Sequence, residues 1–177
     1  MSSVSSVGLR ILARPEGSRT VVRVSWLIRD GASRADVLAL RPELAADHAR
    51  LLETLWSGSV SPVTLELCRL RMASLLRSPA ALRERTPAAL AAGLDEDRIE
   101  RLPVWPTDPS FSGEERACLA LAEKWVIDQH AVSDDELAAV VDALGAEGTV
   151  TFTTALAVWD GQHRFDKALG VARATGG

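Results

Sequence analysis

Apolar residues recur every three to four positions along most of the chain, the spacing of amphipathic helices. In RPELAADHARLLETLW (41–56), Leu44, His48, Leu51, Leu52 and Leu55 fall at helical spacing, and the SGS that follows ends the helix at Gly58. SPVTLELCRLRMASLL (61–76) starts afresh, with Ser61 placed to cap and Pro62 at the first helical position, where a missing N–H costs nothing. SGEE (112–115) and SDDE (133–136) are Ser-x-x-Glu capping boxes, each opening a helix. The first runs through RACLALAEKWVIDQH and the second through LAAVVDAL to Gly145; a last helix, TVTFTTALAVWDGQHRFDKALGV, carries Val150, Thr154, Val158 and Phe165 on its periodic side. RLPVWPTDPS (101–110) is a Pro-rich connection that a helix does not cross. The pattern predicts an all-α domain over 21–177, preceded by a Ser-, Gly- and Arg-rich segment (1–20) expected to be flexible. Only VVRVSWLI (21–28) has strand-like composition, and it reads equally as strand or helix.

Composition narrows the function classes. The chain has 177 residues, enough for one ordinary core, and its net charge of −4 comes with Lys and Arg scattered along the sequence, so no nucleic-acid footprint is expected. No apolar run reaches the roughly 18 to 20 residues of a membrane helix, and the first twenty residues lack a secretory core, so a cytoplasmic protein without membrane contact is expected. Cys68 and Cys118 lie in apolar helical patterns, where free Cys acts as a small hydrophobe, which argues against a disulfide or a structural zinc site. His48, His130 and His163 are far apart and none has a companion at metal-ligand spacing.

Four segments together, LRPELAADHARLLETLWSGSVSP, LELCRLRMASLL, ERACLALAEKW and ALAVWDGQHRFDKALGV, resemble the carboxymuconolactone decarboxylase and alkylhydroperoxidase D-like family. The resemblance spans about residues 37–171 and implies a compact helical bundle, associated as a trimer or hexamer; no cofactor is expected. Family members that reduce peroxides carry a glutamate, then a Cys-x-x-Cys pair, then a histidine. Glu66 matches the glutamate, but Ser78 and Ala81 stand at the cysteine positions and Arg85 at the histidine. Disulfide chemistry needs an attacking thiolate and a resolving sulfur, so thiol peroxidase activity is not expected.

The remaining candidates follow from chemistry. Glu66 sits among Leu65, Leu67, Leu70 and Met72 with Arg69 three residues on, so it is either an acid–base group or half of an ion pair. His163 occupies a place where the resemblance implies asparagine; Asp160 could orient it or pair with Arg164. Ser78 lacks an adjacent base, which favours an N-cap before Pro79 over a nucleophile, and Pro87 is expected to break the helix at Thr86. Trp159 reads as core, with a second reading as the wall of an apolar pocket. The function expected is acid–base chemistry, such as decarboxylation or isomerisation, on a small carbonyl- or carboxylate-bearing substrate. Glu66 and His163 would exchange protons, Asp160 would orient His163, and Arg69 or Arg85 would hold an anionic group. A non-catalytic protein for ligand binding or assembly is the alternative.

Overall fold

A helix buried on every side belongs in the middle of a fold, and residues 64–70 of the third helix are all buried, Glu66 and Arg69 included. The structure is a computed structural model that describes residues 32–171. Its helices are α1 (Arg34–Leu38), α2 (Pro42–Trp56), α3 (Pro62–Leu75), α4 (Pro79–Arg83), α5 (Pro87–Ala91), α6 (Glu96–Glu100), α7 (Gly113–Ile127) and α8 (Asp134–Leu169). Short 3-10 turns occupy Leu102–Val104 and Gln129–Ala131. The all-α expectation holds: no strand occurs among the described residues, and no helix among them is long and apolar enough to cross a membrane. VVRVSWLI and the segment before it lie outside the described residues.

Helix α3 packs on α7 and α8, which also pack on each other, and Leu65, Leu67, Leu70 and Met72 meet Leu119, Leu121, Phe152 and Leu156 in the core between them. Cys68 and Cys118 are both fully buried free thiols. Ser112 and Ser133 form the expected capping boxes, and Ser33 with Asp36 forms a third at α1. Ser61 and Ser78 hold N-cap positions, but neither hydroxyl makes a cap hydrogen bond, and proline at the first turn carries those starts instead. The buried stripe of α8 also differs from expectation. Phe152, Ala155, Leu156, Trp159 and His163 face inward, while Val150 is 66% exposed. Gly145 (φ 69°, ψ 177°) breaks the helical path within α8, a conformation open essentially to glycine alone.

The Pro-rich connection is ordered by two side chains of α7. Arg116 donates to the carbonyls of Trp105, Pro106, Asp108 and Phe111, and Glu123 accepts the Trp105 indole N–H at 2.8 Å. These bonds take up carbonyls that no helix can use.

Candidate functional site

The site begins with two charges on one turn of α3. Arg69 grips Glu66 through two parallel hydrogen bonds, Nε to Oε2 at 2.8 Å and Nη2 to Oε1 at 2.6 Å. Its remaining donors reach the carbonyls of Ala81 (3.0 Å) and Glu84 (2.9 Å), where α4 gives way to α5. Pro87 forces Thr86 into an extended conformation, as expected, leaving its N–H outside the helix. That N–H donates to Glu66 Oε1 at 3.2 Å, and the Thr86 hydroxyl donates to Oε2 at 2.7 Å.

Glu66 is wholly buried and accepts four hydrogen bonds. Burial pushes its pKa up, but the hydrogen bonds and charge of Arg69, with the two bonds from Thr86, leave it below the ordinary carboxylate value. A carboxylate so held is poorly suited to exchanging protons near neutral pH and well suited to tying residues 81–86 onto α3. Thr86 was not anticipated as a site residue; the signal was the Thr-Pro step, which frees an N–H at that point.

The residues at the redox positions lie on this segment. Ala81 is buried, Ser78 is half-buried at the start of α4, and Arg85 turns to Glu96, making bonds of 2.8 and 2.9 Å with its two carboxylate oxygens. Arg85 also donates to the carbonyls of Leu82 and Glu84. The Glu96 carboxylate is 62% exposed, so an incoming anion could displace this partner at little cost.

His163 reaches the same neighbourhood from α8. It is 9% exposed, and its Nδ1 is buried with no hydrogen-bond partner. Burial lowers its pKa, and the charge of Arg34 and of Arg69 lowers it further against the opposing pull of Asp166 and Asp160. Arg69 therefore stands within electrostatic reach of both Glu66 and His163. Asp160 does not orient His163: its Oδ2 accepts from Arg164 Nε at 2.8 Å, and its Oδ1 is buried and unpartnered. Arg34 is clamped by both oxygens of Asp166, a pair the sequence reading missed because its members lie at opposite ends of the described chain.

Trp159 is a core residue, 2% exposed, with its ring centroid 6.0 Å from that of Trp56. The concavity on α8 uses its neighbours instead. A groove of about 250 Å³ runs between α1, α2 and α8, with Leu38, Leu51, Val158 and Phe165 as apolar walls. Its polar members are Arg34, His48 and Gln162, the last two in contact at 2.9 Å through their Nε2 atoms. The groove and His163 occupy different faces of α8. No group of three or more His, Cys, Asp or Glu placed to hold a metal occurs among the described residues.

Residues 42–124 match the Carboxymuconolactone decarboxylase family, as the sequence resemblance implied. Among solved structures, the chain is similar to a protein of unknown function from Agrobacterium tumefaciens, proposed to be the antioxidant defence protein AhpD. The TM-score is 0.67 at 19% identity, covering 78% of this chain and 95% of that one. It is also similar to the debrominase Bmp8, both in its apo form (TM-score 0.68) and as a cysteine-to-alanine variant with 2,3,4-tribromopyrrole (0.69). Both are 12% identical and cover 80% of this chain and 76% of theirs. At these identities the likeness is one of fold. No curated protein matches the sequence.

Proposed function

With a carboxymuconolactone decarboxylase family segment over residues 42–124 and no cysteine at the redox positions as the premise, we propose that the protein is a cysteine-independent acid–base enzyme. Its substrate is a small carbonyl- or carboxylate-bearing organic compound, and its reaction an isomerisation or decarboxylation. The observation that carries this reading is His163: buried, favoured in its neutral form by burial and by two nearby guanidinium groups, and with Nδ1 unpartnered. A neutral imidazole at pH 7 is a base, able to take a proton from carbon beside a carbonyl and return it elsewhere, or to protonate the carbanion left by loss of CO2 once charged.

Glu66 and Arg69 keep a place in this proposal with changed roles. Glu66 becomes a positioning residue that fixes Arg69 and residues 81–86, and Arg69 supplies positive charge near His163. Arg85, whose partner Glu96 is exposed, is the guanidinium freest to receive an anionic substrate group. Asp160 would act on His163 only after turning its unpartnered oxygen toward it.

The test is solvent-deuterium incorporation into a panel of enolisable ketones and keto acids, followed by NMR. His163→Asn is expected to lower exchange by roughly 100-fold or more, the usual scale for a lost general base. Glu66→Gln should act mainly through the folded fraction. Equal exchange in the wild type and His163→Asn would remove His163 from the reaction.

One observation favours a second reading, a non-catalytic protein of the same fold. The guanidinium groups of Arg69, Arg85 and Arg164 are all engaged by carboxylates of the same chain. Wild-type protein that exchanges nothing across the panel would support that reading.

A further inference from the structure

We propose that the groove between α1, α2 and α8 binds a small monocarboxylate, its carboxylate held by Arg34 and its apolar body by the groove walls. The Arg34 side chain is 25% exposed and lines the groove. Its Nε and Nη2 are both taken by the Asp166 carboxylate, Nε at 2.9 Å from Oδ1. A guanidinium carries five N–H donors, and the two on Nη1 make no hydrogen bond to any described residue. Asp166 thus fixes the guanidinium from one edge and stays out of the groove lining, which holds no acidic side chain among the described residues. The polar remainder is the contact between His48 and Gln162, and burial together with Arg34 lowers the His48 pKa, favouring a ring without charge at neutral pH. One positive group in an otherwise uncharged concavity selects an anion.

The body of the ligand follows from the walls. Leu38, Leu51, Val158 and Phe165 supply apolar surface, and the volume of about 250 Å³ falls just short of the roughly 300–1,000 Å³ of pockets that take drug-sized ligands. One ring with a short acid arm is the fitting size. Gly161 points the same way. It lines the groove from within α8, where glycine weakens a helix relative to alanine, yet a Cβ at that position would meet nothing within 4 Å. No neighbouring element needs the missing Cβ, so packing does not account for the glycine; the space it leaves open belongs to the groove.

Phenylacetate and 2-phenylethanol share a ring and differ in charge, and both are titrated into the full chain by calorimetry and by NMR. Phenylacetate is expected to bind about ten-fold or more tightly than the alcohol and to shift the side-chain resonances of His48 and Gln162. Arg34→Gln should bring the two probes to similar affinity. Gly161→Leu, a change the helix favours and no neighbour opposes, should weaken phenylacetate about ten-fold or more by filling the groove. Equal binding of the two probes to wild type, no binding of phenylacetate at millimolar concentration, or an affinity unchanged in Gly161→Leu overturns the proposal. So do resonance shifts confined to Arg85 and His163, a result that wild-type protein alone can give and that would put the acid at the other site. His163→Asn should bind phenylacetate as wild type does, which separates this groove from the reaction proposed above.

Discussion

Glu66 and Arg69 lie three residues apart on α3, and removing either leaves its partner buried and charged. Glu66→Gln is expected to destabilise the fold by about 3–5 kcal/mol, read from urea unfolding. Coupling it with Arg69→Met should recover part of that loss, because no buried charge is then left alone. The sequence placed Arg69 within reach of Glu66, but not Thr86 or the carbonyls of Ala81 and Glu84, since those partners arrive only when α4 and α5 fold back. His163 carries a pH dependence of definite sign. Its folded pKa lies below the unfolded value of about 6.5, so the unfolded chain binds the proton first, and stability present above that value falls as pH drops through it. Thermal midpoints measured from pH 7.5 down to 5 should therefore fall in the wild type and fall less in His163→Asn. His48, whose pKa is likewise lowered by burial and by Arg34, is common to both proteins, so the difference isolates His163. Glu66, with its pKa lowered, loses its contribution only at more acid pH, as it protonates below the usual carboxylate range. The thiols offer a third check. Burial raises the Cys68 pKa well above normal and pushes Cys118 up to about 12, so iodoacetamide should label both far more slowly in native protein than in denatured protein.

The end of α3 closes through a Schellman motif, in which Ser78 N–H bonds to Ala73 O and Arg77 N–H to Ser74 O. Arg77 thereby takes a positive φ of 55°, while the matching place after α5 is held by Gly93. A side chain in that region costs about 1–2 kcal/mol, so Arg77→Gly should stabilise the protein by about 1 kcal/mol, measured by chemical unfolding. Helix starts were the most legible elements, because Ser-x-x-Glu and Ser-Pro are local signals with local causes. Which face of α8 turns inward was not legible. From Thr149 to Trp159 that helix is apolar or small on nearly every side, so periodicity alone cannot choose between the stripe through Phe152 and Trp159 and the one through Val150 and Val158. Asp160 posed a similar choice between a partner three residues on and one four residues on, and Arg164, the longer side chain, took it.

At the scale of the molecule, Leu40, Leu44, Ile127 and Val150 are each more than half exposed on the isolated chain. Apolar residues so open, together with the family resemblance, lead us to expect a trimer or hexamer by light scattering. A monomer at micromolar concentration would count against that expectation. The break at Gly145 has a separate consequence, for how evenly stability is spread. Residues 134–144 bury only Val140, whereas the stretch beyond the break carries Phe152, Leu156 and Trp159 in the core. A continuous helix would pass protection from one turn to the next, but here the path is interrupted, and Thr149 Oγ1 donates to the carbonyl of Gly145 at 2.7 Å. The two halves should then open as separate cooperative units. In native-state hydrogen exchange, amides around 138–143 should trade deuterium through a low-energy local opening insensitive to dilute denaturant, while those of 152–159 wait for global unfolding.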